Sequence, residues 1–196
     1  MQQVIHLLFL LSAVIVVTGW LSRRAGSRVR RHHRNRQTAE RVLTRLPQLV
    51  SDGARLNYLR RINPYVFEEL LLLALEKQGL KVIRNPSYSG DGGLDGQVFI
   101  AGERWLIQAK RYSRSVSPQH IRDFGELLAR ENCCGFFIHT GRTGRKSRDG
   151  LQANPQVQLV SGQRLLNLLA GRADWYPREF KIKRIFLNRR RPAAWS

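Results

Sequence analysis

Cysteine is nearly absent from this 196-residue chain: Cys133 and Cys134 stand side by side and alone. That excludes a disulfide framework and the paired CxxC spacing of a zinc ribbon. Acid is scarce as well. Fourteen Asp and Glu face 34 Lys and Arg, 28 of them Arg, for a formal charge of +20. No internal repeat is present. Hydrophobic residues make up 42% of the chain, which excludes wholesale disorder. A chain of this length reads as one folded domain with appendages, large enough to bury a core without covalent staples.

The excess charge is uneven. Residues 1–62 carry 12 Arg against two acids, and residues 172–196 carry eight cations against two acids. The middle, 63–171, carries 14 cations against 10 acids. The middle reads as an ordinary globular domain, and the flanks as arms that attract polyanions.

Val4 to Leu21 holds no charged side chain and a single His6. As a helix it would be about 27 Å long, close to the bilayer core. Trp20 sits where an interfacial aromatic belongs. Seven Arg, two His and no acid follow between Arg23 and Arg36. The rival, a signal peptide, would want a basic start and a small-residue cleavage site, but Met1-Gln2-Gln3 carries no side-chain charge and Thr18-Gly19-Trp20-Leu21 is a poor cleavage site. We therefore expect residues 1–22 to be a transmembrane anchor. The basic flank then places the rest in the cytoplasm, as a single-pass protein of a bacterial inner membrane. Residues 23–62 read as a basic cytoplasmic linker, a solvated arm followed by helical pieces broken at Pro47 and Gly53. The arm's arginines suit anionic lipid headgroups or nucleic-acid phosphates, or serve only as a topology signal.

Asn63-Pro64 marks a helix start, and the apolar run Phe67–Gln78 ends at Gly79. Strands are expected over Leu80–Arg84, Leu94–Ile100 and Glu103–Arg111, with a Gly-rich loop over 85–93. A helix over Pro118–Glu131, a buried strand Gly135–His139, a short helix Ser147–Ala153, a strand Val157–Val160 and a helix Gln163–Leu169 complete the domain. Residues 172–196 form a basic arm of unassigned fold.

If Ala101-Gly102 is a two-residue turn, paired positions sum to 203. Leu94, Gly96 and Val98 then meet Ala109, Ile107 and Trp105 on an apolar face. Asp95 meets Gln108 on the other, with Lys110 two residues along. A one-residue slip would scramble both faces, so the pattern selects the register that gathers a carboxylate, an amide and an ammonium. On the first domain helix, Glu68 shares a stripe with Leu71, Leu72 and Leu75. It is expected to face inward, unlike Glu69, unless it merely complements the helix dipole.

FEELLLLALEKQGLKV, SGDGGLDGQV, WLIQAKRY and CGFFIHTGRTG, in that order over roughly residues 63–170, resemble the Mrr-type restriction endonuclease catalytic domain. That is a QxK branch of the PD-(D/E)xK nucleases. The resemblance implies an α/β, restriction-endonuclease-like α-β-β-β-α-β core with a mixed central sheet. It also implies a metal-dependent DNA endonuclease using Mg²⁺, or Mn²⁺ in its place. Asp95, Gln108, Lys110 and Glu68 would be catalytic. Asp95, Glu68 and the Ala109 backbone carbonyl would hold the metal, and Asp91 would support them. Gly90, Gly92, Gly93 and Gly96 would let backbone approach metal or phosphate closely.

Around that site, Arg111, Tyr112 and Arg114 after the catalytic strand read either as DNA contacts or as a solvated loop. Arg142, Arg145 and Lys146 belong to a basic Gly/Thr loop that could hold phosphate. Cys133-Cys134 and His139 read as structural. Partners are then DNA, membrane lipid through the N-terminal segment, and, as an open option, a second copy of the chain. No separate base-reading module stands out. The rival reading is a non-catalytic membrane adaptor that binds DNA through a nuclease fold, and an RNA- or branch-directed nuclease is a third.

Overall fold

The helices that begin at Pro64 and Pro118 each open on a capped, proline-led turn. The Asn63 side chain accepts a hydrogen bond from the Tyr65 N–H at 2.9 Å, with Pro64 behind it. Ser117 does the same for Gln119, ahead of Pro118. These caps satisfy N–H groups that a first turn leaves open. In the computed structural model, residues 29–85 and 94–176 are described, together with His6, Thr18 and Trp20.

The elements are α1 (residues 29–45), α2 (Asp52–Leu59), α3 (Pro64–Lys77), β1 (Lys81–Arg84), β2 (Gly96–Ile100), β3 (Glu103–Lys110), α4 (Pro118–Arg130), β4 (Cys134–His139), α5 (Arg145–Gln152), β5 (Val157–Val160) and α6 (Gly162–Leu169). The sheet runs β1-β2-β3-β4-β5. The first three strands are antiparallel, and β4 and β5 join parallel to β3 through α4 and α5. This is a mixed α/β architecture, with the expected element order from α3 onward. The antiparallel pair β2–β3 needs only the 101–102 turn, whereas each parallel step takes a helical crossover.

Two apolar cores flank the sheet. Trp105, Ile107 and Ala109 of β3 face the layer that holds α3 and α6. Leu106 of β3 faces Ile121, Phe124 and Leu128 of α4. Phe67, Leu71, Leu72 and Leu75 of α3 are almost wholly buried, each contributing roughly 1.5–3 kcal/mol. The register of β2 on β3 is the expected one: Gly96 faces Ile107 and Val98 faces Trp105. Ala101 (φ 52°) and Gly102 (φ 80°) both take positive φ, as the tight hairpin turn demands.

The reading of residues 23–62 as a linker is corrected for 29–62. Ala39, Val42 and Leu46 lie in the first core, with Leu59 of α2. The arginines do not prevent packing because the helix turns its apolar positions inward. Arg36 and His32 meet Glu76 and Glu69 of α3 at 3.3 and 3.1 Å. Part of the C-terminal arm also folds back. Trp175 is buried, donates its indole N–H to Gln78 Oε1 at 2.9 Å, and packs edge-on to Phe136. Among the described residues no helix is long and apolar enough to cross a membrane. The expected anchor, apart from His6, Thr18 and Trp20, lies outside them, as do Asp91, Gly90, Gly92 and Gly93 and residues 177–196.

Candidate active site

The β2–β3 ladder changes at its open end, and the site begins there. Gly96 is the partner of Ile107, yet the Asp95 N–H also reaches the Ile107 carbonyl, at 2.9 Å. Two residues thus stand opposite one, the arrangement of a β-bulge, which re-aims side chains. The direct Asp95–Gln108 and Leu94–Ala109 pairings expected from the sequence are therefore replaced. Leu94 packs against the α4-side core instead. The Asp95 carboxylate turns to the backbone N–H of Ala109 and accepts its hydrogen bond at 2.6 Å.

Gln108 and Lys110 share a face of β3. Their cross-strand partners on β4 are Phe137, in the α4-side core, and His139. Glu68 arrives from α3. Glu68, Asp95 and Lys110 lie near enough for their charges to act on one another. Burial pushes the Glu68 carboxyl up to about 8, and the Asp95 charge adds to this while the Lys110 ammonium opposes it. Burial lifts Asp95 to about 6, against the Ala109 N–H and Lys110. Two carboxyls held in so little water favour protons unless a cation takes their place.

Gln108 supplies a second sign that the site suits a cation. Its side chain is buried, and its Oε1 accepts no hydrogen bond. A buried acceptor without a donor costs about 1–3 kcal/mol. Among the described residues no three His, Cys, Asp or Glu side chains gather as a metal cluster. The oxygen donors that Asp95, Glu68, Gln108 and the Ala109 backbone carry are two carboxylates, an amide oxygen and a carbonyl. That all-oxygen set suits a hard divalent ion that keeps several waters, rather than zinc.

Glu69 reverses one expectation. It is the more deeply buried acid of the pair, 2% exposed, while Glu68 is half-buried. Glu69 bonds Arg84 Nε at 2.9 Å as well as His32, and Arg84 also grips Glu76 through both terminal nitrogens. Glu69 is neutralised by this network, and Glu68 faces Asp95 and Lys110. Gly96 likewise serves packing. A Cβ there would come within 2.8 Å of Leu72 Cδ2 and 3.1 Å of the Ile83 carbonyl, so α3 lies tight on the sheet.

The predicted phosphate contacts divide. The Arg111 guanidinium turns inward to the Arg60 carbonyl, while Arg60 Nε reaches the Thr140 carbonyl at 2.9 Å. Tyr112 stacks on His120, its hydroxyl meeting Nδ1. Arg114, Arg142, Arg145 and Lys146 are exposed. The loops after β3 and β4 run side by side: Ser115 bridges Arg142, and the Arg142 N–H bonds the Arg114 carbonyl at 3.2 Å. Gly141 permits that approach, since a Cβ would strike the Arg114 carbonyl and Tyr112 Cβ. Arg114 and Arg142 thus stand on adjoining loops that leave the strand ends at Lys110, whose carbonyl accepts from Thr140 N–H at 3.3 Å, and Arg145 and Lys146 follow at the start of α5.

His139 was legible only as a strand end. The structure buries it completely beside Lys110, with Nδ1 unpartnered and Nε2 3.4 Å from Thr143 Oγ1. Burial pulls its pKa to about 4, so it is neutral. Only the β3–β4 register reveals its place, and no local sequence signal carries that.

A mixed sheet with an acid at a bulge, a QxK strand and a helix-borne Glu defines a nuclease-type domain. The chain belongs to the restriction endonuclease family of the Mrr catalytic domain, whose profile matches residues 59–169. It is 30% identical over 138 residues to the type IV methyl-directed restriction enzyme EcoKMrr of Escherichia coli (strain K12). That alignment covers 66% of this chain and 45% of the relative, so the chain spans under half of the relative's length. Among solved structures, the MspJI restriction endonuclease bound to a 27-mer oligonucleotide is similar at TM-score 0.46 and 23% identity, covering 61% of this chain and 30% of that one. The restriction endonuclease FokI is similar at TM-score 0.45 and 14% identity, covering 69% and 30%.

Proposed function

We propose that the protein is a divalent-metal-dependent DNA endonuclease held at the cytoplasmic face of a membrane by its N-terminal segment. The observation that carries the nuclease reading is the mutual proximity of Asp95, Glu68 and Lys110, the last on a strand that also carries Gln108 with its buried, unpartnered Oε1. Asp95, Glu68, Gln108 Oε1 and the Ala109 carbonyl would hold Mg²⁺, or Mn²⁺ in its place. When bound, the ion would neutralise charge on the phosphate and lower the pKa of an attacking water.

The chain's own groups do the remainder. The Ala109 N–H fixes one Asp95 oxygen and leaves the other free. Lys110 brings a positive charge to where a phosphate oxygen becomes more negative, and it can orient the attacking water. Arg114, Arg142, Arg145 and Lys146 offer phosphate contacts without base readout.

The membrane part of the reading rests on sequence alone: an uncharged run from Val4 to Leu21 followed by seven arginines. It places the protein in a bacterial inner membrane. A homodimer stays an option, which sedimentation of the full chain would decide.

The test is plasmid nicking by the full chain in detergent, with Mg²⁺ and with EDTA. Metal-dependent nicking supports the proposal. DNA that is bound but left intact in both Mg²⁺ and Mn²⁺ would select the non-catalytic adaptor. Parallel RNA and branched substrates would show a different nucleic-acid preference.

A further inference from the structure

α1 has two faces of opposite character. One packs into the domain: Ala39 and Val42 are buried, and His32 and Arg36 pair with acids of α3. On the other face stand Arg30, Arg34, Arg41 and Arg45, all exposed. At 3.6 residues per turn these four fall within about 60° of the helix circumference, on the side away from the core. The stripe is about 22 Å long at 1.5 Å per residue. Glu40, the one acid among residues 29–45, lies about 110° around from it. Among the described residues none of the four arginines has an acidic partner, and Arg45 bonds only the neutral Gln48, at 2.8 Å.

We infer that this stripe is a docking surface for anionic phospholipid headgroups and lays the domain α1-side down on the membrane. The inference rests on the membrane reading proposed above and adds an orientation to it. Three observations select lipid as the occupant. First, seven residues separate Leu21, the end of the apolar run, from Val29, where described α1 begins. Fully extended they span at most about 25 Å, so an anchored chain keeps the start of α1 near the bilayer surface. Second, the stripe is straight, unopposed by acid and pointed outward, matching a flat anionic sheet. Third, it faces away from α3, the helix that carries Glu68. α1 is thus a rigid spacer fixed by the Glu69 and Glu76 contacts rather than a loose tether. The exposed cations after β3 and β4 remain available to a different polyanion.

The test uses the full chain reconstituted in phosphatidylcholine vesicles with and without phosphatidylglycerol. A label at Gln37→Cys, at the edge of the stripe, reports energy transfer to labelled headgroups; one at Glu126→Cys on α4 is the control. The native cysteines are buried. Phosphatidylglycerol should raise transfer several-fold at position 37 but not at 126, and salt should reverse the gain. Each Arg→Gln change should weaken docking about fivefold, and the fourfold Arg→Lys variant should retain it, because the attraction is to charge. Transfer indifferent to phosphatidylglycerol, in protein that resists alkaline carbonate extraction, overturns the inference while leaving the anchor standing. Release by carbonate overturns the anchor and the inference with it. A fourfold Arg→Gln variant with weaker DNA binding and unchanged transfer would assign the stripe to nucleic acid instead.

Discussion

The Asp95 carboxylate accepts a hydrogen bond from the Ala109 N–H at 2.6 Å, across a point where β2 has left its regular pairing with β3. A side chain stands in for a strand's backbone. The bulge that frees Asp95 from the ladder also aims it, and the same bond ties it to the strand that presents Lys110. One structural device thus connects sheet stability to the candidate chemistry.

Asp95→Asn keeps an oxygen for the Ala109 N–H and removes the charge. We expect a melting temperature no lower than wild type, with cleavage reduced by at least about 10²-fold. Lys110→Ala should lower the rate by about 10²–10⁴-fold, with folding intact. Plasmid nicking alongside thermal melts checks both. Normal rates in either variant would remove this active site.

Gln108→Leu should separate stability from activity. It deletes a buried acceptor that has no donor, so the metal-free protein should melt no lower than wild type. Cleavage should fall and need more Mg²⁺. Gln108→Glu should need less, since a carboxylate adds charge to the oxygen set. Mg²⁺ titrations of the cleavage rate would show this. Identical Mg²⁺ dependence in all three proteins would take Gln108 out of the metal's surroundings.

Glu68 gives a pH signature without metal. Its carboxyl is raised from 4.5 to about 8 in the folded protein, so the native state binds that proton more tightly than the unfolded chain. The resulting stability is complete below the unfolded value and is lost as pH rises through about 8. Asp95 acts in the same sense between 3.8 and about 6. In EDTA the melting temperature should therefore fall as pH rises from 5 to 8 by about the same course. Glu68→Gln should flatten the upper part of that fall. Parallel curves would contradict the placement of Glu68.

The packing of α1 predicts where a soluble fragment must begin. Fragment 55–196 lacks Ala39, Val42 and Leu46, two of them large apolar side chains worth roughly 1.5–3 kcal/mol each when buried. It should melt well below fragment 29–196 or aggregate. Equal melting temperatures would mean that α1 does not belong to the domain.

DNA affinity should fall steeply with salt. Each of Arg114, Arg142, Arg145 and Lys146 that touches a phosphate contributes about 0.9 to the slope of log affinity against log salt. Changing them to Ala should flatten the slope, whereas Arg111→Ala should act on stability, because its guanidinium faces the Arg60 carbonyl. Filter binding at several salt concentrations tests this.

Much is readable in the sequence where the signal is local. Asn63-Pro64 announces α3, and the alternation through Trp105, Ile107 and Ala109 fixes one face of β3. The Ala101-Gly102 turn then sets the β2–β3 register from Gly96 to Glu103. Period and turn chemistry are written in neighbouring residues, so sequence alone determined the element order, the hairpin and the candidacy of Asp95, Gln108 and Lys110. What required the folded chain is whatever depends on a partner far away. The arginines of α1 looked too charged to pack, because the acids that receive His32 and Arg36 lie some 40 positions on. Glu69 looked like the outward acid because Arg84 could not be seen beneath it. His139 joined the neighbourhood of Lys110 only through a parallel pairing spanning a whole helix. Burial, charge neutralisation and the bulge at Asp95 are properties of three-dimensional proximity, and no period along the chain encodes them.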